Sequence, residues 1–545
     1  MPWLTVLALL PLVGSLALIF LRGALAKQTA LAFSLLTLLV AVLIAARYRV
    51  GGGMQLVEQV PWIKPLGVYY ALGLDGIGLT LVLLVVIVTP VVILASWHDL
   101  DEKPHASKRE RVAAGAATGG GASPSGSHTV LEVGGDAPGG VGLAPKYDAR
   151  LFFALVLAVE TCALYLFLAI DVFLFYVFFE VILIPMYFLI GGFGGVRRAY
   201  AASKFLIFGL LGGFVMLASV IGLYVLSARA GAPSYLLSDL SQLDIATGTG
   251  RWLFVGFMFA FAIKAPLVPL HTWLPDAAQE SSPGGATMMV GVMDKIGTFG
   301  MIRFCLNLFP EASQWATPVV LILATVSILY GAILAIGSRD LMRFVAYTSI
   351  SHFGFIVLGI FAFTSQSLTG STLYMLNHGL STAALFLVAG YLIRRRGSRD
   401  INDFGGVQKV APVLAGLLLF AGLSTLSLPG LSSFVSEFMV LAGTFSRHPV
   451  YASISTLGIV LAALYILIMY QRTMTGPVTP QVERTVTTDL NGRERLAMVP
   501  LVLLILALGV FPRPMLSVIE PAVRATMTQV GVTDPQPKVS AEGGR

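Results

Sequence analysis

FAIKAPLVPLHTWLPDAAQESSPGGATMMVGVMDKIGTFGM runs from Phe261 to Met301. It places Lys264 two residues before a proline and Lys295 inside the next apolar stretch. A charge near the centre of a bilayer costs at least roughly 2.5–3.5 kcal/mol on an insertion scale, so such a group faces a bundle interior or a wet cavity. Pro266, Pro269 and Pro275 interrupt the apolar pattern. A proline inside a helix removes a backbone donor and breaks or kinks it. Irregular backbone at membrane depth is tolerated only where protein or water covers it. The stretch reads as a broken membrane helix followed by a helix with an embedded lysine.

Working outward, the whole chain has the composition that this reading needs. Its 545 residues are 56% hydrophobic and only 12% charged, against about a quarter charged in soluble domains. The charges fall between apolar runs such as LFFALVLAVETCALYLFLAI (151–170) and RLAMVPLVLLILALGV (495–510). A run of about 20 apolar residues crosses a bilayer as a helix. Hydropathy predicts an all-α polytopic membrane protein with about 14 transmembrane helices. Residues 1–100 hold three N-terminal spans, and 101–149 form a Gly/Ser-rich cytoplasmic loop with the composition of a linker. Residues 150–310 form a five-helix group broken near 266, and 311–475 a second five-helix group broken near 429. Residues 476–513 give a loop and the last span, and 514–545 a polar tail expected to be ordered only in part. Proline or glycine breaks at matching places in two halves point to a transporter core, and groups of odd size run with inverted topology.

The formal net charge of +7 fits cationic loops that orient membrane helices rather than a nucleic-acid surface. Lysines and arginines lie after odd-numbered spans about twice as often as on the other side, which places both termini outside the cytoplasm. The N-terminus lacks a basic start and reads as a first span rather than a cleaved signal. Cys162 and Cys305 sit far apart in apolar runs and spell neither a disulfide framework nor a metal site. GGFGGVRR (191–198) follows an apolar span with no strand before it, so it is no nucleotide loop. The available chemistry is ion movement.

Four embedded charges carry that chemistry. Glu180 lies mid-span in VFLFYVFFEVILIPMYFLI, five residues before Pro185. Lys264 precedes the helix break, where Pro266 is expected to expose polar backbone beside the amine. Lys295 follows Asp294, and sequence neighbours do not share a helix face, so no pairing is assumed. Glu437 lies seven residues beyond the Pro429–Gly430 break, about 10 Å along the half-helix. Each could instead belong to a locked structural ion pair. His352 and His378 complement the series, because imidazole titrates near neutral pH. Taken singly, each could be a hydrogen-bonded core histidine. Lys204, Glu160 and Asp171 lie nearer span ends or lack a nameable partner, and Lys204 could simply snorkel. Desolvation and a movable carboxylate shift a buried lysine's proton affinity in opposite directions, so Lys264 can act as a switchable proton station.

The motifs AIDVFLFYVFFEVILIPMYFLIGGFGG, FAIKAPLVPLHTWLPDA, DKIGTFGMIRF, RDLMRFVAYTSISHFGF, LYMLNHGLSTAALFLVAGYL and LSLPGLSSFVSEFMVL occur in this order. Over roughly residues 70–512 the chain resembles the antiporter-like membrane subunits of bacterial respiratory complex I, NADH-quinone oxidoreductase. Glu437, where relatives usually carry lysine, and the absence of a long lateral helix favour the M type. The resemblance implies an antiporter-like fold with two inverted five-helix repeats. It implies proton translocation driven by quinone reduction elsewhere in the complex. Glu180 and Lys264 match the family's ion pair, Lys295 its central lysine, His352 and His378 its relay histidines, and Glu437 its terminal acid. His271 matches the histidine of the broken-helix motif. The resemblance also implies that NADH, FMN, iron–sulfur clusters and quinone belong to partner subunits. The partners would be other membrane subunits, L and N above all, in a bacterial inner membrane. AQESSPGGATMM (278–289) departs from the family pattern, so Gln279 and Glu280 receive no role. The alternatives are a subunit of a multisubunit sodium/proton antiporter and a membrane scaffold whose charges are locked.

Overall fold

The computed structural model describes residues 2–98, 147–231 and 233–536. The expected loop 101–149 lies outside the described residues up to residue 146. Helices α1 (Trp3–Ala17) and α2 (Gly23–Arg47) pack beside α3 (Gly76–Ala95) and α4 (Ala149–Leu168). An antiparallel hairpin, β1 (Gln55–Ile63) with β2 (Val68–Leu74), pairs Gln55 with Leu74 and Ile63 with Val68. The expected third span therefore starts later than residue 71. VYYALGL is drawn into the hairpin, and Asp75 starts the helix by accepting from the Gly78 N–H at 2.8 Å.

The first group continues with α5 (Val172–Val181), α6 (Leu183–Phe193), α7 (Arg198–Arg229), α8 (Thr247–Lys264) and α9 (Trp273–Glu280). Pro185 lacks the N–H that would bond the Val181 carbonyl, and the helix is interrupted at Ile182, between α5 and α6. Residues 283–306 are not one regular helix. They run as α10 (Pro283–Ala286), a π segment (Thr287–Met293), α11 (Lys295–Gly300) and a second π segment (Met301–Leu306). The second group is α12 (Pro310–Gly337), α13 (Leu341–Phe361), α14 (Ser365–Arg396), α15 (Pro412–Thr425), α16 (Ser432–Arg447) and α17 (Pro449–Met474). The breaks fall in the fourth member of each group, between α8 and α9 and between α15 and α16.

Among the described residues, nine helices are long and apolar enough to cross a membrane, or ten if one bent pair counts as a span. The expected count of about 14 thus exceeds the continuous spans, because the broken and short elements do not qualify alone. The bent pair is α18 (Gly492–Val510) and α19 (Arg513–Val530), which meet at 71°. The tail expected to be only partly ordered is helical through Val530. Ile519, Val523 and Met527 recur at a four-residue spacing and are buried against the bundle.

The burial pattern suits a lipid solvent. Helices α13 and α14 are the least apolar of the long helices, yet they are almost wholly buried, while apolar α2 is mostly exposed. Polar side chains lie inside the bundle, where partners exist, and apolar ones face outward. Asp171, unassigned from sequence, caps α5 through the Leu174 N–H at 2.9 Å and accepts the Tyr69 N–H at 3.0 Å, tying β2 to α5. Arg303, within DKIGTFGMIRF, is buried and pairs with Asp75 at 2.7 Å.

Candidate functional site

The break after α8 is closed by the protein rather than left open. The Ala265 N–H bonds the Phe261 carbonyl at 2.7 Å and the Leu267 N–H the Ala262 carbonyl at 3.1 Å. The Trp273 indole N–H reaches back to the Ile263 carbonyl at 2.9 Å. The polar backbone expected beside Lys264 is thus satisfied, and the amine itself is the group left over. Lys264 Nζ is buried, lies 4.4 Å from the centroid of the Phe179 ring, and has no hydrogen-bond partner among the described residues.

Glu180 follows Phe179 on α5 and is only partly buried. Its carboxylate occupies the space left by Gly213 on α7, where a Cβ would stand 1.4 Å from Oε1. Glu180 and Lys264 interact electrostatically. Glu180 Oε1 and Lys264 Nζ have no hydrogen-bond partner among the described residues, so no direct bond joins the two groups through them.

Lys295 is fully buried in α11. Its ammonium donates to the Val290 carbonyl at 2.5 Å and meets His378 Nδ1 of α14 at 2.8 Å. With Lys295 charged, Nδ1 accepts and the proton of neutral His378 sits on Nε2. The His378 ring lies 5.4 Å from that of His352, centroid to centroid. His352 Nδ1 meets the Tyr374 hydroxyl at 2.6 Å, and that hydroxyl donates to Glu437 Oε2 at 2.5 Å. Ser427, in the second break, donates to the same oxygen at 2.6 Å. A hydroxyl has one proton to give, so with Tyr374 donating to Glu437, His352 Nδ1 must donate to Tyr374. Tyr465 then fits as donor to His352 Nε2 at 3.4 Å. The second break is held open by Asn377, whose amide donates to the Ser432 carbonyl at 2.7 Å.

The structure therefore brings Lys295 with His378, and His352 with Tyr374 and Glu437, into two buried hydrogen-bonded groups that meet ring to ring, with no partner at His378 Nε2 among the described residues, and sets Glu180 and Lys264 on the Lys295 side. His271 stands apart, edge-on to Tyr330 with ring centroids 5.3 Å apart. Lys204 is paired rather than snorkelling: its amine meets Asp276 Oδ2 at 2.6 Å, and Arg343 holds Oδ1 at 3.0 Å. Nearby Asp340, at the membrane edge, caps α13 through the Arg343 N–H, and burial raises its carboxyl above the usual range. Tyr374, Tyr465, Ser427 and Asp276 were not singled out by the sequence. Tyr374 could have been, because it lies four residues before His378 on one helix face.

Every member of the two hydrogen-bonded groups has a side chain that can hold a proton. Once a further proton reaches His352 Nε2, the ring can give its Nδ1 proton to Tyr374 while Tyr374 passes its own to Glu437, so the imidazole returns to neutral and one charge moves along three side chains. Among the described residues no group of three or more His, Cys, Asp or Glu could hold a metal ion.

A family model described as NADH:quinone oxidoreductase/Mrp antiporter, TM, matches residues 169–464. The chain is 49% identical to NADH-quinone oxidoreductase subunit M of Mycobacterium tuberculosis (strain H37Rv), covering 99% of this chain and 96% of that protein. It is 33% identical to subunit M of Escherichia coli (strain K12), covering 85% and 84% of the two chains. Among solved structures it is similar to a chain of respiratory complex I from Thermus thermophilus with bound NADH. That likeness has a TM-score of 0.81 at 31% identity and covers 97% of this chain and 100% of the other. A chain of the Mrp complex from Dietzia sp. DQ12-45-1b shares the fold, with a TM-score of 0.77 at 21% identity over 97% of this chain and 100% of that one.

Proposed function

The chain belongs to the family of NADH-quinone oxidoreductase M subunits, and from that premise we propose that its buried groups form a proton path through the membrane arm of respiratory complex I. It is a proton-translocating membrane subunit. The path we propose enters at Glu180 and Lys264, continues through Lys295, His378, His352 and Tyr374, and ends at Glu437. The observation that carries it is the string Lys295–His378 and His352–Tyr374–Glu437, buried where charges are costly and joined by bonds of 2.8, 2.6 and 2.5 Å. Lys204 and His271 stand beside the path, Lys204 as a structural partner of Asp276 at 2.6 Å.

On this reading NADH, FMN, iron–sulfur clusters and quinone reside on partner subunits, and the neighbours in the membrane are the antiporter-like L and N subunits. The chain sits in the bacterial inner membrane with both termini outside the cytoplasm, as its cation distribution favours. The sodium/proton antiporter alternative rests on a fold likeness at 21% identity and calls for sodium-driven exchange without NADH.

The test is NADH-driven proton uptake by inverted membrane vesicles carrying Lys264→Ala or Glu180→Ala. Both variants are expected to assemble and to lose uptake. Normal uptake in both assembled variants would sink the proposal, and failure of both to assemble would favour a scaffold role.

A further inference from the structure

Among the described residues, Asp294 is the buried acid that lies within electrostatic reach of two lysines. Its side chain is wholly buried, and neither carboxylate oxygen has a hydrogen-bond partner among the described residues. Burial without a partner is costly for a carboxylate, which makes Asp294 a candidate functional group. The packing of its helix gives its direction. Gly297, one turn later, lies on the end of α8. A Cβ there would stand 2.6 Å from both the Ala265 nitrogen and the Phe261 carbonyl oxygen. Residues three apart share a face, so Asp294 leaves the helix on the side of α8, where Lys264 stands. Lys295, the next residue, points the other way. Together with Gly291, four positions earlier, it packs on His378 and Gly379 of α14. The Asp294 carboxylate interacts electrostatically with both Lys264 and Lys295. The other titratable groups around Lys264 are Glu180 and Cys162. The turn is also irregular. The Asp294 N–H bonds the Met289 carbonyl, five residues back, at 3.0 Å. Such wide turns occur frequently at functional sites.

We propose that Asp294 is a proton station that links Lys264 to Lys295, an inference that rests on the proton path described above. In the first step the Lys264 ammonium gives a proton to the Asp294 carboxylate, leaving a neutral amine and a carboxylic acid. In the second the acid gives that proton to neutral Lys295, restoring the carboxylate and forming the second ammonium. No electrons move, and one proton crosses from the first helix group to the face of α14. Neither oxygen touches an amine in the static structure, so each step requires a side-chain swing or a bridging water.

The experiment uses the intact complex in inverted membrane vesicles. Asp294→Asn, nearly isosteric but unable to carry the proton, is expected to lose NADH-driven proton uptake as fully as Lys264→Ala. Asp294→Glu is expected to recover most of it, which a merely space-filling role would not. Wild-type uptake in Asp294→Asn overturns the proposal. In that event impaired Lys264→Ala leaves the wider path standing, and normal Lys264→Ala removes both. Should Asp294→Asn fail to assemble, infrared difference spectra of the complex with and without NADH decide the matter. A carboxyl band that shifts between wild type and Asp294→Glu supports the station, and identical spectra overturn it.

Discussion

Glu437 receives two hydrogen bonds on one oxygen, from Tyr374 at 2.5 Å and Ser427 at 2.6 Å. Among the described residues Tyr374 alone hydrogen-bonds both that carboxylate and His352, so Tyr374→Phe removes one oxygen and leaves the packing intact. It is expected to abolish most proton uptake while lowering stability by about 1–3 kcal/mol, the cost of an unsatisfied buried partner. Uptake in vesicles and thermal melting of the purified complex check the two halves. Unchanged uptake would mean that protons bypass Tyr374. Gly213 offers a second case at this scale. A Cβ at 1.4 Å from Glu180 Oε1 must displace the carboxylate, so Gly213→Ala is expected to reproduce the uptake defect of Glu180→Ala. Wild-type uptake in that variant would show that Glu180 works equally well elsewhere. The embedded charges themselves were legible, because a lysine or glutamate inside an apolar run contradicts its surroundings. Ser427 was not, and Tyr374 only through its spacing to His378. A tyrosine inside a membrane helix or a serine at a helix break is ordinary, and only the fold brings both onto Glu437.

The interrupted helices were legible for a related reason: proline cannot continue a helix, and three of them follow Lys264 within a short span. How the freed carbonyls are satisfied was not legible, since the Trp273 indole reaches Ile263 across the break only after the chain has turned back. Trp273→Phe keeps an aromatic ring but removes the donor to Ile263. It is expected to cost about 1–3 kcal/mol, read as an earlier melting transition of the complex. A variant that melts with the wild type would show that another group caps this carbonyl. The hairpin Gln55–Leu74 and α19 escaped the sequence reading through competing signals. β2 is apolar enough to merge with the span that follows, and α19 buries one face in a segment whose average composition is polar.

Across the whole molecule, α9 joins the two helix groups. Asp276 binds Lys204 of α7 at 2.6 Å and Arg343 of α13 at 3.0 Å. Gln279 adds a donor to Asp340 at 3.2 Å and an acceptor for Arg343 at 3.1 Å. Glu280 receives the Arg197 N–H at 3.0 Å, and Arg399 bonds the Gln279 carbonyl. One short helix next to the first break thus holds cations from both halves. Through Lys204 of α7, which also carries Gly213 beside Glu180, the junction adjoins the acid end of the proposed path. Asp276→Asn keeps the shape and leaves both cations without a carboxylate. Because Asp276 is largely buried and its partners are more open, the expected loss is about 1–3 kcal/mol rather than the full penalty of a deeply buried pair. If the junction also transmits motion, proton uptake falls further than the loss of assembled complex accounts for. Measuring uptake per assembled complex separates the cases. Uptake that falls only in step with complex abundance would reduce Asp276 to a structural clamp.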